Sequence, residues 1–245
     1  MQAEIRLTED GSHTLYVPEI GECYHSAHGA VQESIHIFID AGLRMFLAAG
    51  KPDRFCAPAC AEAGSGTLKG KNMIKVLEIG FGTGLNAFLT LSEAEKRKTG
   101  IYYTSLELYP LAADEALRLN YPEMLRADRR LFEKIHVSPW EEDADITPYF
   151  TLRKMKVDFT AYEPREMFDV VYFDAFSPEK QPELWTEGGF EKIYACSGGG
   201  AVLTTYCAKG AVRRALQSAG FVVERLPGPP GKREILRGRK LICGE

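Results

Sequence analysis

The run Glu78-Ile79-Gly80-Phe81-Gly82-Thr83-Gly84 sets three glycines at alternate positions behind a carboxylate. Without Cβ atoms the backbone can turn tightly there and approach a ligand closely. A helix opening at Leu85 would aim its unpaired N–H groups at the same place. A second carboxylate, Glu107, closes the apolar run Ile101-Tyr102-Tyr103-Thr104-Ser105-Leu106. It lies roughly 20 residues past the glycines, where an acid accepts the hydroxyl hydrogens of a ribose. The chemistry indicated is the holding of an adenosine-bearing ligand, and two such ligands compete. Gly82-Thr83-Gly84-Leu85-Asn86-Ala87 also fits the dinucleotide form G-x-G-x-x-A, so the loop and Glu107 suit NAD and S-adenosylmethionine equally. Metal chemistry is not expected. The six cysteines (Cys23, Cys56, Cys60, Cys196, Cys207 and Cys243) contain no C-x-x-C pair, and Cys56 and Cys60 have no second ligand pair nearby.

The elements that must carry these residues can be read from periodicity. Ile5 to Val17 alternates around Asp10-Gly11 as a β-hairpin does. Val31, Ile35, Phe38, Ile39, Leu43, Phe46 and Leu47 then recur at helical spacing across Ala30 to Ala49. Lys51 to Lys71 is rich in Pro, Gly, Ala and Lys and reads as a covering loop. From Ile74 short apolar runs alternate with helices: strands at Ile74 to Leu77, Ile101 to Leu106, Phe168 to Phe173 and Ala201 to Tyr206, and helices at Leu85 to Lys96, Leu111 to Asn120 and Ala211 to Ala219. His136 to Thr151 reads as irregular. This alternation predicts a mostly parallel sheet covered on both faces. Phe221 to Arg225 and Glu234 to Leu236 flank a Pro/Gly turn with no helix between them, so they should pair antiparallel.

A closing antiparallel hairpin is the mark of the Rossmann-like methyltransferase sheet, and a hydride-transfer enzyme would need a further substrate domain. The fold class expected is therefore α/β, a Rossmann-like S-adenosylmethionine-dependent methyltransferase. Residues 1–73 form an N-terminal hairpin, helix and covering loop packed on a core of residues 74–245. With no apolar run of about 20 residues and a charged N-terminus, a cytoplasmic protein is expected. Between Lys209 and Lys240 nine Lys/Arg face two acids in a chain of net charge −4, a local basic stretch suited to a polyphosphate or to plain solvation.

Several separated segments carry a more specific signal. Phe168-Asp169-Val170-Val171-Tyr172-Phe173-Asp174-Ala175-Phe176-Ser177-Pro178, continuing through Pro182-Glu183-Leu184-Trp185, resembles the D-x-F-[AS]-P…P-[ED]-[LM]-W block of the MnmC-type tRNA wobble-uridine methyltransferases. Asp10-Gly11-Ser12, Tyr24-His25-Ser26, His28-Gly29-Ala30, Gln32-Glu33-Ser34 and Gly231-Lys232-Arg233-Glu234 resemble that family too. The resemblance implies methyl transfer from S-adenosylmethionine to the aminomethyl group of 5-aminomethyl-2-thiouridine in the anticodon loop of tRNA. It also implies a stand-alone methyltransferase, without the FAD oxidase module of some relatives and served by separate enzymes that supply the aminomethyl substrate. Asp174 would orient the acceptor amine and take its proton. Glu78, Gly80, Phe81, Gly82, Thr83, Gly84 and Glu107 would hold the donor, with Asp158 reading its adenine amino group. Tyr24, His25 and Trp185 would face the uridine, and Lys232 and Arg233, near the tip of the last hairpin, would grip RNA phosphates. Three other readings share the same residues: a methyltransferase or aminopropyltransferase for a small amine, an NAD(P)-dependent oxidoreductase, and a catalytically silent RNA-binding domain.

Overall fold

The computed structural model describes residues 3–50 and 73–242. The expected covering loop from Lys51 to Lys71, with Cys56 and Cys60, lies outside the described residues, as does Cys243.

The N-terminal hairpin forms as expected: β1 (Glu4–Leu7) pairs antiparallel with β2 (His13–Val17), and a short β3 (Glu22–Cys23) adds a third strand. Its turn also starts the next helix, α1 (Ala30–Ser34). Ser12 Oγ accepts the N–H groups of Ala30 and Val31 at 3.0 and 3.3 Å, and Asp10 Oδ2 accepts that of Gln32 at 3.0 Å. A distant turn thus supplies partners to N–H groups that a helix start leaves unpaired. Burial would raise the Asp10 pKa, but hydrogen bonds from Ser12, Gln32 and Thr8 outweigh it and hold the carboxyl below its usual range. The chain continues through wider π turns over Ile35–Arg44 and into α2 (Met45–Ala49). The expected helix from Ala30 to Ala49 is therefore present with a change of winding in its middle. Gly42 lets it lie close on the sheet, since a Cβ there would stand 3.2 Å from Thr204 Oγ1 and 3.3 Å from Tyr172.

The remainder runs β4 (Ile74–Ile79), α3 (Leu85–Arg97), β5 (Ile101–Leu106), α4 (Ala113–Ala116), α5 (Tyr121–Leu125), α6 (Arg129–Val137), β6 (Asp143–Thr147), β7 (Phe150–Met155), β8 (Phe168–Phe173), α7 (Glu187–Ala195), β9 (Ser197–Thr205), α8 (Gly210–Ser218), β10 (Val222–Pro227) and β11 (Glu234–Arg239). These strands build one sheet in the order β10-β11-β9-β8-β4-β5-β7-β6. Strands β9, β8, β4, β5 and β7 are parallel, and β11 inserts antiparallel between β9 and β10. The expected mostly parallel sheet with an antiparallel closing hairpin is what forms.

Two local expectations differ. The helix foreseen over Leu111 to Asn120 is a single turn, Ala113–Ala116, after which Asn120 is tied to the N-terminal hairpin and a new helix opens with Pro122 in its first turn. Asn120 donates to the Gly11 carbonyl at 2.9 Å and accepts the His13 N–H at 2.8 Å. The segment from His136 to Thr151, read as irregular, instead contains the end of α6 and the β6–β7 hairpin. Strand β6 opens Asp143-Ala144-Asp145, an acidic edge poor in strand-forming residues, so its propensity hid it.

Side-chain alternation along the central strands divides the core. Ile74, Val76, Val170, Tyr172 and Val202 pack under the π turns and α3, while Leu77, Ile79, Val171, Phe173 and Leu203 pack under α7 and α8. The N-terminal segment shares the first of these clusters through Leu15, Ile37 and Phe38. Strand order reverses at β4, with β5 on one side and β8 on the other. Crevices that bind ligands open beyond the carboxyl ends of the strands at such a point.

Candidate active site

Backbone ties across neighbouring strand ends set the geometry of this crevice. The Asp174 N–H donates to the Ile79 carbonyl at 3.0 Å, Gly80 to Leu106 at 2.9 Å, and Glu107 to Met155 at 2.9 Å. The residues just past β4, β5 and β8 are thereby drawn to one edge of the sheet. A cavity of about 740 Å³ opens there, roofed by the segment from Ile20 to Ser26 and by α1. That volume suits a nucleotide-sized ligand together with part of a second reactant.

Gly80 and Gly82 are required by close packing. Gly80 has φ +94, and a Cβ on it would stand 2.6 Å from the Asp174 carbonyl oxygen. Gly82 has φ +50, and a Cβ would meet the Tyr24 ring at 2.8 Å. Glu107 Oε2 accepts the Gly82 N–H at 3.0 Å and Oε1 that of Tyr109 at 2.9 Å. A carboxylate has about four acceptor positions, so this one can still take two hydroxyl groups from the cavity. Asp158 follows β7 and lines the same space, its Oδ1 accepting both the N–H and hydroxyl of Thr160 at 2.7 Å.

Asp174 stands on the floor. Asn86, in the first turn of α3, donates Nδ2–H to Asp174 Oδ2 at 2.8 Å. Burial, with the charge of Glu33 adding to it, pushes the Asp174 carboxyl from the ordinary 3.8 up to about 7. Glu33 is itself buried, accepting the Ser26 N–H at 2.7 Å and pairing with Lys232 Nζ at 3.3 Å. Lys232 also lies 4.8 Å from the centre of the Tyr206 ring. Phe176 and Tyr24 meet at 5.1 Å across the entrance.

Of the residues singled out beforehand, Gly80, Phe81, Gly82, Thr83, Glu107, Asp158, Asp174, Tyr24, His25 and Lys232 all line this cavity. His25 packs edge-on against Tyr121, and burial lowers its pKa to about 4, so it stands there neutral. Glu78, Gly84, Trp185 and Arg233 do not line it. Glu78 is wholly buried in the sheet, its Oε2 accepting the Ser105 hydroxyl at 2.5 Å. Gly84 opens α3 and packs against His136. Trp185 is 7% exposed in the core beside Phe173 and Phe190, its Nε1–H holding the Phe176 carbonyl at 2.9 Å. It braces the loop that carries Asp174 instead of facing a base. Arg233 is exposed, whereas its neighbour Lys232 turns inward to Glu33 and not out to solvent.

Sequence reasoning missed Asn86, Glu33, Tyr206 and Lys154. Glu33 lay inside a recognised segment, and Asn86 sits two residues past the glycine turn. Lys154 gave no local signal. It is 1% exposed, donates to the carbonyls of Ile135 and His136 at 2.9 and 2.8 Å, and faces the rings of Phe81 and Trp140. Burial brings its ammonium down to about 8. It fixes the end of α6 beneath Phe81, where a cation suits the carbonyl end of a helix.

This arrangement of a glycine turn, a ribose-competent acid and a basic carboxylate can be compared with known proteins. An S-adenosyl-L-methionine-dependent methyltransferase family matches residues 139–241. Over 97% of its length the chain is 29% identical to the tRNA 5-methylaminomethyl-2-thiouridine biosynthesis bifunctional protein MnmC of Polaromonas naphthalenivorans, covering 36% of that protein. The MnmC of Azoarcus sp. is 29% identical over 99% of the chain, again with 36% of the relative covered. The crystal structure of MNMC2 from Aquifex aeolicus superposes with a TM-score of 0.70 at 26% identity, covering 97% of this chain and 70% of that one. The chain has the fold of the S-adenosyl-L-methionine-dependent methyltransferases and is similar to MnmC over nearly its whole length. It spans about a third of the length of these curated MnmC relatives, and the Rossmann-like expectation holds in preference to a nicotinamide-dependent fold. No helix among the described residues is long and apolar enough to cross a membrane, and no group of His, Cys, Asp or Glu among them could hold a metal ion.

Proposed function

We propose that this MnmC homologue methylates the exocyclic amine of 5-aminomethyl-2-thiouridine at the wobble position of cytoplasmic tRNA, using S-adenosylmethionine as donor. The observation that carries the reading is Asp174: a carboxylate of near-neutral pKa on the floor of the cavity, beside a glycine turn and opposite Glu33. The MnmC likeness supplies the substrate class.

The residues present fit the donor. Gly80 and Gly82 let the turn pack closely against Asp174 and Tyr24 at the cavity wall, and Glu107 keeps acceptor positions for a ribose. Asp158 would accept from the adenine amino group, and Phe81 would wall the base. When bound, the donor supplies a methyl group on a sulfonium, an electrophile that needs no protein nucleophile. The chain's own task is to present an amine with a free lone pair. An alkylamine resembles lysine, with a pKa of ~10.4, and enters protonated. Asp174 and Glu33 attract that ammonium, and ionised Asp174 takes one of its protons onto a carboxylate oxygen. Lys232 balances Glu33, keeping the net negative charge modest, and the Tyr24–Phe176 pair excludes water. The anticodon loop offers the uridine already outside a helical stack.

The test is to incubate the protein with methyl-labelled donor and bulk tRNA from cells lacking this gene, then analyse nucleosides. Label is expected in 5-methylaminomethyl-2-thiouridine. Label absent from tRNA but present in a small amine would reject the proposed substrate.

A further inference from the structure

Lys232 brings a primary ammonium into the cavity from the loop between β10 and β11. Two groups receive it. Glu33 of α1, 7% exposed, fixes Oε2 on the Ser26 N–H at 2.7 Å and turns Oε1 to Lys232 Nζ at 3.3 Å. The centre of the Tyr206 ring lies 4.8 Å from the same nitrogen, within range of a cation–π contact. The Tyr206 hydroxyl donates to the Ala175 carbonyl at 2.9 Å, which anchors the ring to the residue after Asp174. Glu33, Tyr206 and Asp174 all line the same space. A buried carboxylate and an aromatic face around one nitrogen make a site for a primary alkylammonium, whichever molecule carries it.

We propose that Glu33 and the Tyr206 ring form the seat of the acceptor's primary ammonium, and that Lys232 occupies this seat until the acceptor displaces it. This rests on the reading of the chain as a methyltransferase for an aminomethyl group, whose end, a methylene bearing an ammonium, is also the end of a lysine. The exchange conserves charge. One ammonium replaces another, so binding never leaves Glu33 buried without a cation, a state far more costly than the pair itself. A neutral group could not displace Lys232 without stranding that carboxylate, which makes the seat selective for a charged amine. The motion required is confined to one side chain, because the hairpin tip is clamped. The Pro227 carbonyl accepts from His36 Nε2 at 2.8 Å, the Lys232 N–H donates to the Pro229 carbonyl at 2.9 Å, and Gly231, at φ +82, lies so close on His28 that a Cβ would not fit. The Lys232 side chain, 28% exposed on a flexible four-carbon stem, can swing out while its backbone stays in place.

Lys232→Ala removes the side-chain atoms beyond Cβ, which are those of propylammonium, and this small cation serves as the probe. In thermal melts of the whole protein without donor or tRNA, the variant should melt below wild type near neutral pH. Propylammonium chloride should raise its melting temperature where equal sodium chloride does not. Wild type, its seat filled, should show no such rise, and neither should Lys232→Ala combined with Glu33→Gln. A rise common to all three proteins, or absent from Lys232→Ala, would overturn the seat. Turnover then separates displacement from a fixed counter-ion. Propylammonium should inhibit tRNA methylation by Lys232→Ala competitively with tRNA, since both enter one seat; activation would mean that Lys232 stays in place throughout and that only its lost charge is being restored. Should Lys232→Ala not fold by circular dichroism, Glu33→Gln alone, which keeps an acceptor for the Ser26 N–H, carries the test. It should raise the KM for tRNA about tenfold with calorimetric donor affinity unchanged, and an unaltered KM would reject the seat. Failure of the wild type to label tRNA would strike the proposed function, while the melting comparison would still decide whether the seat takes a primary ammonium.

Discussion

A single carboxylate of near-neutral pKa governs how this site responds to pH. In the proposed reaction Asp174 accepts a proton in its ionised form, so kcat/KM should rise with pH along a limb near 7. Asp174→Asn should erase the limb and lower kcat by roughly 10²–10⁴, with calorimetric donor affinity little changed; unaltered turnover would remove Asp174 from the chemistry. Gly82 is constrained by both conformation and contact. Gly82→Ala forces an L side chain to φ +50 and into the Tyr24 ring, at about 1–2 kcal/mol for the backbone alone. Donor affinity should fall, and retained affinity would mean that the turn is looser than its packing indicates. Glu78 has a stability consequence as well. Its folded pKa lies above the ordinary 4.5, so the folded chain binds the extra proton and stability declines as pH rises from about 4.5 to about 8. Glu78→Gln should therefore melt increasingly above the wild type across that window in a pH series of thermal scans.

At the scale of elements, each strand end lining the cavity is held by a neighbour remote in sequence. The start of α1 depends on the β1–β2 turn through Asp10 and Ser12, and α1 carries Glu33 to the cavity. Asp10→Asn should cost about 1 kcal/mol at neutral pH, the usual loss for a helix-start acceptor. Because the folded Asp10 pKa is lowered, its contribution is present above the ordinary carboxylate pKa and fades as pH falls through the folded value. The variant and wild type should converge in stability toward acid, and a gap that persists at pH 2 would contradict this. The π winding of Ile35–Arg44 is a feature of the described helix for which the surrounding contacts give no single cause.

Across the whole molecule, the basic stretch near the C-terminus is not one open patch. Lys209 pairs with Glu179, Arg225 with Glu234, Lys232 with Glu33, and Arg237 and Arg239 both with Glu224. Exposed Arg214 and Arg233 form no ion pair among the described residues and are the better phosphate contacts. Arg233→Glu should weaken tRNA binding at low salt and reduce the log–log salt slope by about 1 or more, leaving donor affinity alone. Lys232→Met acts differently: it removes a charge that lowers the Asp174 pKa, so the acid limb should move to higher pH. Equal effects of both substitutions on tRNA binding, with no movement of the limb, would return Lys232 to the phosphate-gripping role.

Periodicity, the glycine turn and the acids at strand ends were legible from the chain alone because each depends on local geometry. A strand of period two, a tight turn and a helix start place Gly80, Gly82, Glu107 and Asp174 along one sheet edge wherever the strands pair in parallel. Long-range packing decided the rest. Asn86 reaches Asp174 across 88 positions of sequence, Lys232 meets Glu33 from the opposite end of the chain, and Trp185 turns into the core to hold the Phe176 carbonyl. Which of two neighbours such as Lys232 and Arg233 faces inward is set by the group packed opposite, and no local pattern encodes that partner.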